Sequence, residues 1–420
     1  MTVAASEHTS SRVLPPKNAY EMRGEAPPDL TPEDLQRRRA LTAQIEAYVR
    51  PYLARNPRVK RAVDALLRPG TSETEEIPPL KKAEADETFE TFVGWDHLAF
   101  RSFDRVDGGL LAVARVFEKH GYTCEGSLTF EAKKVDARWF APPAARWARD
   151  ARGDPAFPRL FVSHLRVDDL PDDARKVIER RVIRTCESRL INRDAVNKNA
   201  ARVAERGGVP WSADGADASA DVTIALDEYE TLSNASEYAA WTLVHGHALN
   251  HVAVAVHRLF EHSSGVSVSM SRDSRAPRRR FASLEACLAF LKAPPLSTKT
   301  SRAGGGEVKV SPDGGLRQAA TVADVLEFGF IDRSNTLEGD SRGVPGEASA
   351  RTTRKMLVPA SYVEFVDRLP IAGDAGDETN CSYAGDGGAY VPERSRRDGF
   401  ETANADAIFE STFRAQQRDG

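Results

Sequence analysis

Trp95-Asp96-His97-Leu98-Ala99-Phe100-Arg101-Ser102-Phe103 reads as a β-strand. Side chains on a strand alternate with period 2, so His97, Ala99, Arg101 and Phe103 share one face, and Leu98, Phe100 and Ser102 the other. A small residue between a histidine and an arginine leaves the first face open, which a face packed into a core would not favour. Taken alone, the stretch reads more simply as a strand-edge histidine and an arginine with its stem along apolar surface. The chain around it reverses that preference.

Downstream, Leu110–His120 has apolar residues at helical spacing and stops at Gly121. Strand-like runs follow near 122–131, 134–141 and 159–167. The pattern then turns helical: Asp172-Asp-Ala-Arg-Lys-Val-Ile-Glu-Arg-Arg-Val and Ser236-Glu-Tyr-Ala-Ala-Trp-Thr-Leu-Val-His both carry the 3.6-residue period. After this the first order recurs. Asn250–His257 alternates as a strand, and Ser283–Lys292 is a serine-capped helix stopped by Pro294-Pro295. Strands are expected near 307–310, 316–330 and 362–367, with polar, mobile loops at 331–356 and 371–399. A strand–helix–three-strand unit therefore appears twice, each opening with a histidine in a strand, His97 and His251. The fold class implied is α+β, with paired βαβββ modules.

Upstream, residues 1–30 are rich in Pro, Ser and Glu. Thr31-Pro32-Glu33-Asp34 is a helix start, with Thr31 as N-cap, and the helix should reach about Tyr52. A second is expected at Pro57–Leu67, then an acidic, proline-containing linker at 69–88. The divisions predicted are a flexible N-terminus and helical segment (1–90), the first module (91–167), a helical insertion (168–249), the second module (250–370), and a C-terminal loop and tail (371–420).

The 420 residues are 41% hydrophobic and 29% charged, ordinary for a soluble globular chain, and the net charge of −4 gives no reason to expect nucleic acid or an anionic membrane as partner. No apolar run approaches the roughly 20 residues that span a bilayer. Cys124, Cys186, Cys287 and Cys381 lie far apart without a CxxC pair, which excludes a standard zinc ribbon and favours a reducing, intracellular compartment. The first thirty residues lack a hydrophobic signal core, and their acidic residues suit an organelle transit peptide poorly. Cytoplasm, plastid and mitochondrion stay open, as does the oligomeric state. Gly304-Gly-Gly306 lacks the Lys-Ser/Thr of a phosphate-binding loop.

Glu364 stands in the last strand of the second unit, on a face shared with Tyr362, Val366 and Arg368. A carboxylate in such a row needs a cation or a metal, because burying it unpaired is costly. Two histidines and a carboxylate are the facial set of non-haem Fe(II) enzymes. Of the remaining histidines, His8, His120, His257 and His262 read as surface or packing residues. His245 and His247 rival His251 but lie where a helix ends, whereas His251 lies within the alternating strand.

These segments resemble a known family, the iron-dependent 2-oxoadipate dioxygenase/decarboxylases that form 2-hydroxyglutarate in lysine catabolism, especially their plant and algal members. The similarity is carried by Trp95–Phe103, Glu237-Tyr-Ala-Ala-Trp-Thr-Leu-Val244, Ala248-Leu-Asn-His-Val252, Thr321-Val-Ala-Asp324, Val358-Pro-Ala-Ser-Tyr-Val-Glu-Phe-Val-Asp-Arg368 and Asn404-Ala-Asp-Ala-Ile-Phe-Glu-Ser-Thr412. It implies a vicinal-oxygen-chelate-like fold around a metal. It also implies His97, His251 and Glu364 as Fe(II) ligands, Arg101 as the catalytic, substrate-binding arginine, and a tail closing over the pocket with Ser411 near the substrate. The implied partners are a 2-oxo diacid and O2, with no separate 2-oxo acid co-substrate. A strand carries Arg101 about 13 Å beyond His97, and a guanidinium folding back from there would meet the distal carboxylate of a six-carbon diacid. His247, where plant-type members carry an aromatic residue, departs from the pattern. So does the long 331–356 loop before Glu364. A same-fold isomerase or other dioxygenase with another anionic substrate, and a non-catalytic plastid or starch-development protein, are the competing readings.

Overall fold

The computed structural model describes residues 29–67, 94–104, 109–150, 153–183, 224–259, 279–302, 306–334, 352–371 and 391–409. The first module runs β1 (Trp95–Phe100), α3 (Leu110–Glu118), β2 (Thr123–Phe130), β3 (Val135–Ala141) and β4 (Arg159–Leu165). The second runs β5 (Leu249–Ala255), α7 (Leu284–Lys292), β6 (Lys309–Val310), β7 (Leu316–Ala320) and β10 (Tyr362–Arg368). Together they build one eight-stranded sheet in the order β2-β3-β4-β1-β5-β10-β7-β6. Within each module the first strand is parallel to the last, and β1 pairs antiparallel with β5 where the modules meet. The two halves of the sheet are thus related by a pseudo-two-fold, as the repeated element order predicts.

The period-2 pattern of β1 sorts the two faces of the sheet. Leu98 and Phe100, with Val252, Val254, Val363 and Phe365 from β5 and β10, belong to one buried cluster. That cluster also takes in residues of α1 (Pro32–Arg55), α2 (Pro57–Leu67), α3 and α7. Ala99, Phe103, Phe161 and Leu165 belong to a second cluster with residues of α4 (Asp172–Ile178), α5 (Leu226–Ala235) and α6 (Glu237–His245). The openness read at Ala99 is therefore absent: the residue is 2% exposed, inside that second cluster.

Helix α1 starts as its sequence predicts, with Pro32 in the first turn and a reciprocal capping box between Thr31 and Asp34. It passes through Pro51 to Arg55, three residues beyond the expected end. Its Tyr52 hydroxyl donates to the Tyr362 carbonyl and accepts from the Val252 amide, pinning the helix to neighbouring strands β5 and β10.

Two expectations about strands need correcting. The run 316–330 is not one strand, because β7 ends at Ala320 and β8 (Val325–Asp332) forms a separate hairpin with β9 (Thr352–Pro359). The break has a cause at Asp324, whose buried carboxylate accepts from the Arg58 and Val59 amides at the start of α2. It acts as a tertiary N-cap and draws the chain out of the sheet. The second correction is β9, which falls at the end of the expected 331–356 loop; residues 335–351 lie outside the described residues. The hairpin sits between the third and fourth strands of the second module, so the repeat holds with one insertion. Residues 391–399, expected as part of a mobile loop, are tied to the sheet: Arg368 donates to the Arg397 and Gly399 carbonyls, and Arg396 to the Arg368 carbonyl. Among the described residues no helix is long and apolar enough to cross a membrane.

Candidate metal centre

Adjacent strands bring His97 of β1, His251 of β5 and Glu364 of β10 to one point on the sheet. His97 Nε2 lies 3.2 Å from His251 Nε2 and 3.5 Å from Glu364 Oε2, and His251 Nε2 lies 3.2 Å from Glu364 Oε1. All three side chains are buried. Ligands about 2.2 Å from one ion and at right angles to each other are about 3.1 Å apart. Three such separations place the donors at neighbouring corners, a facial set with other positions open.

The sheet register supplies the next layer. His97 and His251 each follow a polar residue, Asp96 and Asn250. Asp96 Oδ1 accepts from His97 Nδ1 at 2.9 Å, and Asn250 Oδ1 accepts from His251 Nδ1 at 3.0 Å. With Nδ1 carrying the proton, each ring turns its Nε2 lone pair inward. Two lone pairs and a carboxylate then face one another across little more than 3 Å, an arrangement that repels itself unless a cation lies between. The electrostatics agree. Burial, with the Asp96 charge adding to it, pushes the Glu364 carboxyl up to about 8 despite a hydrogen bond from Gln318. Burial also holds both imidazoles below their ordinary values, helped at His251 by the His97 and Arg101 charges. The donor set is deficient in positive charge and suits a divalent metal.

Asp96 is itself fixed. Although burial opposes its ionisation, the Arg368 guanidinium, which grips it through Nε at 2.6 Å and Nη2 at 2.9 Å, holds it well below the usual carboxylate range. Arg368 also binds the carbonyls that lead to Phe400, so one buried cation ties the His97 partner to the C-terminal segment. Gly399, at φ +73°, turns the chain there, and the Phe400 ring packs edge-on against His97 at 4.9 Å and tilted against Phe161 at 4.9 Å. A small cavity beside the cluster is lined by His97, His251, Glu364, Phe161, Tyr362 and Phe400. Ala405 of α8 (Thr402–Phe409) also borders it, so the C-terminal segment covers the site; Ser411 lies outside the described residues.

Arg101 is buried, with its guanidinium 4.7 Å from the Tyr238 ring centroid and 5.2 Å from that of Trp241. It is not among the residues lining that cavity. The two rival histidines are engaged away from the cluster. His245 Nε2 contacts the Pro359 carbonyl at 2.9 Å with its ring over Trp241, and His247 Nε2 contacts Ser102 Oγ at 3.1 Å. Burial lowers His245 to about 3 and His247 to about 4. Of the surface and packing readings, packing holds for His257, which is buried and bonded to Glu393.

Asp96, Asn250, Phe161, Arg368 and Phe400 escaped the sequence reading. For the first two a signal existed, since a polar residue precedes each strand histidine and takes its other ring nitrogen. Phe161 and Phe400 look like any core aromatic until the register is known.

The chain matches the family model described as 2-oxoadipate dioxygenase/decarboxylase over residues 45–369. It belongs to that family. It is 34% identical over 323 residues to the chloroplastic 2-oxoadipate dioxygenase/decarboxylase of Arabidopsis thaliana, covering 77% of this chain and 69% of that protein. The rice relative (Oryza sativa subsp. japonica), described as chloroplastic/amyloplastic, is 34% identical over 326 residues, covering 77% of this chain and 70% of that one. Among solved structures, the hydroxyglutarate synthase from Oryza sativa in complex with 2-oxoadipate superposes with a TM-score of 0.62 at 29% identity, covering 94% of this chain and 98% of that one. A structure described as a glyoxalase superfamily protein from Ralstonia eutropha JMP134, at TM-score 0.52 and 19% identity over 85% of this chain and 92% of that one, shares the fold. The vicinal-oxygen-chelate-like architecture expected from the sequence is the one observed.

Proposed function

We propose that this chain is an Fe(II)- and O2-dependent dioxygenase that converts 2-oxoadipate to 2-hydroxyglutarate and CO2, a step of lysine catabolism. The observation that carries the reading is the facial His97–His251–Glu364 set, with both Nδ1 protons fixed, in a chain of this family. The reaction balances with one O2: C1 leaves as CO2, one oxygen atom enters the new carboxylate, and the other becomes the hydroxyl. Bound at the three side chains, Fe(II) would supply the open positions where a 2-oxo acid and O2 meet.

The protein's own residues do the rest. His97, His251 and Glu364 hold the ion, and Asp96 and Asn250 keep the imidazole lone pairs turned toward it. Phe161 and Phe400 shield the cavity from water, which favours oxidation of the substrate over side reactions. Arg101, steadied by Tyr238 and Trp241, offers a planar donor fork suited to the distal carboxylate of the diacid. Ser411 is assigned to the substrate side of the closing tail.

The test is direct. Purified protein is loaded anaerobically with Fe(II), then given 2-oxoadipate and O2, and CO2 and 2-hydroxyglutarate are measured. Equal yields of both are expected. Absence of both from iron-loaded protein would refute the assignment, and product formed anaerobically would point to other chemistry.

A further inference from the structure

Tyr362 lines the same cavity as the three donors, yet nothing above uses its hydroxyl. Its ring stacks on His251 with centroids 4.7 Å apart and planes at 27°. The hydroxyl oxygen is buried and has no hydrogen-bond partner among the described residues. Leaving a buried polar group unmatched costs stability, so such a group is an exception to be explained. Its counterpart in the first module shows the contrast. By register Arg159 stands beside His97 as Tyr362 stands beside His251, and Arg159 is fully engaged, bonding Glu393 and Asp398.

The register also says where along the site the phenol lies. Glu364 is level with Ala253 and His97, whereas Tyr362 is level with His251 and Ala99. Arg101 follows in the chain just past the end of β1. Tyr362 therefore shares the row of His251, on the side of His97 and Glu364 toward the arginine. Its electrostatic neighbours are the same two groups, Glu364 and Arg101. A guanidinium has only donors to offer. Arg101, behind the cavity lining, and the Tyr362 O–H within it are thus two donors on the same side of the site, a pairing that suits an anionic oxygen of a ligand.

We propose that the Tyr362 hydroxyl donates a hydrogen bond to the distal carboxylate of the bound 2-oxo diacid, beside Arg101, and so contributes to selecting a diacid over a monoacid. The inference rests on the proposed function and deepens it. The chemistry selected is a terminal carboxylate several methylenes away from the 2-oxo acid group.

Tyr362→Phe keeps the ring on His251 and removes only the unmatched hydroxyl. In iron-loaded enzyme, kcat/KM is measured for 2-oxoadipate and for the six-carbon monoacid 2-oxohexanoate. Affinities of both are measured by calorimetry without O2, with bound metal and Tm as checks on the fold. The ratio of diacid to monoacid should fall about tenfold or more in both kcat/KM and affinity, the loss expected for one hydrogen bond to a charged group. An unchanged ratio, or equal losses on both acids, would overturn the assignment. Parent enzyme that binds 2-oxoadipate selectively but forms no product would remove the proposed reaction while the calorimetric ratio still decides on Tyr362. Parent enzyme that binds neither acid would overturn both.

Discussion

His97 in β1 and His251 in β5 occupy matching places in the two modules, each with its Nδ1 held by the residue before it. One strand over, the match ends. Ala99 is level with Phe161 on β4, and Ala253 is level with Glu364 on β10. The first module thus presents a phenylalanine at the corner where the second presents a carboxylate. Further along the first strands the asymmetry is reversed, with Arg101 in the first module and Ala255 in the second. A duplicated frame supplies two equal imidazoles, and its departures from symmetry supply everything else. One corner carries a carboxylate, one is apolar and lines the cavity, and one arginine sits beyond them.

The strongest way to break this picture is to remove one member of the matched pair. His97→Ala and His251→Ala should each abolish bound iron and turnover, measured by metal analysis after dialysis and by product formation. A variant that kept full metal and activity would mean the centre does not lie between the modules. Next comes the odd corner. Phe161→Glu would restore the symmetry and offer a second carboxylate as a fourth donor, so turnover should fall at least about a hundredfold while bound metal stays or increases. Full activity in that variant would show that Phe161 does not border an open coordination position. Arg101→Lys should cost about tenfold to a hundredfold in kcat/KM for 2-oxoadipate, the range for losing a bidentate charge-assisted contact, with bound iron unchanged. Parent enzyme equally active on 2-oxoadipate and 2-oxohexanoate would remove that role.

Why the centre was legible and its surroundings were not follows from range. His97, His251 and Glu364 each stand out against their own strand, because a titratable side chain in an alternating apolar row is a local anomaly. The element order around the two histidines exposes the repeat without any pairing information. Phe161 acquires its meaning only from the register with Ala99, and Phe400 only from the turn at Gly399 that lays it on His97. Strand β9 was unreadable for another reason. Its residues Thr352–Leu357 are mostly exposed and polar on both faces, so they carry no period-2 hydrophobic signal. Strand β8 merged with β7 in the sequence because Asp324, which separates them, works at long range on the start of α2.

The subtlest difference between the modules is Asp96 against Asn250. Both accept the same kind of hydrogen bond from a histidine of the cluster, but only Asp96 carries a charge, and that charge is held by the buried Arg368. Asn250→Ala removes one neutral acceptor, so iron affinity should weaken by about tenfold, the lower end for an outer partner of a metal ligand. Asp96→Asn keeps an acceptor available to His97 but strips the buried Arg368 of its counter-charge. The cost should appear in stability, by about 3 kcal/mol or more. Affinity should fall by about tenfold to a hundredfold, because Arg368 also fixes the segment carrying Phe400. Iron titration and chemical unfolding of the two variants side by side separate these effects. If Asp96→Asn proved no less stable than Asn250→Ala, the Arg368–Asp96 pair would not be what joins the metal centre to its C-terminal cover.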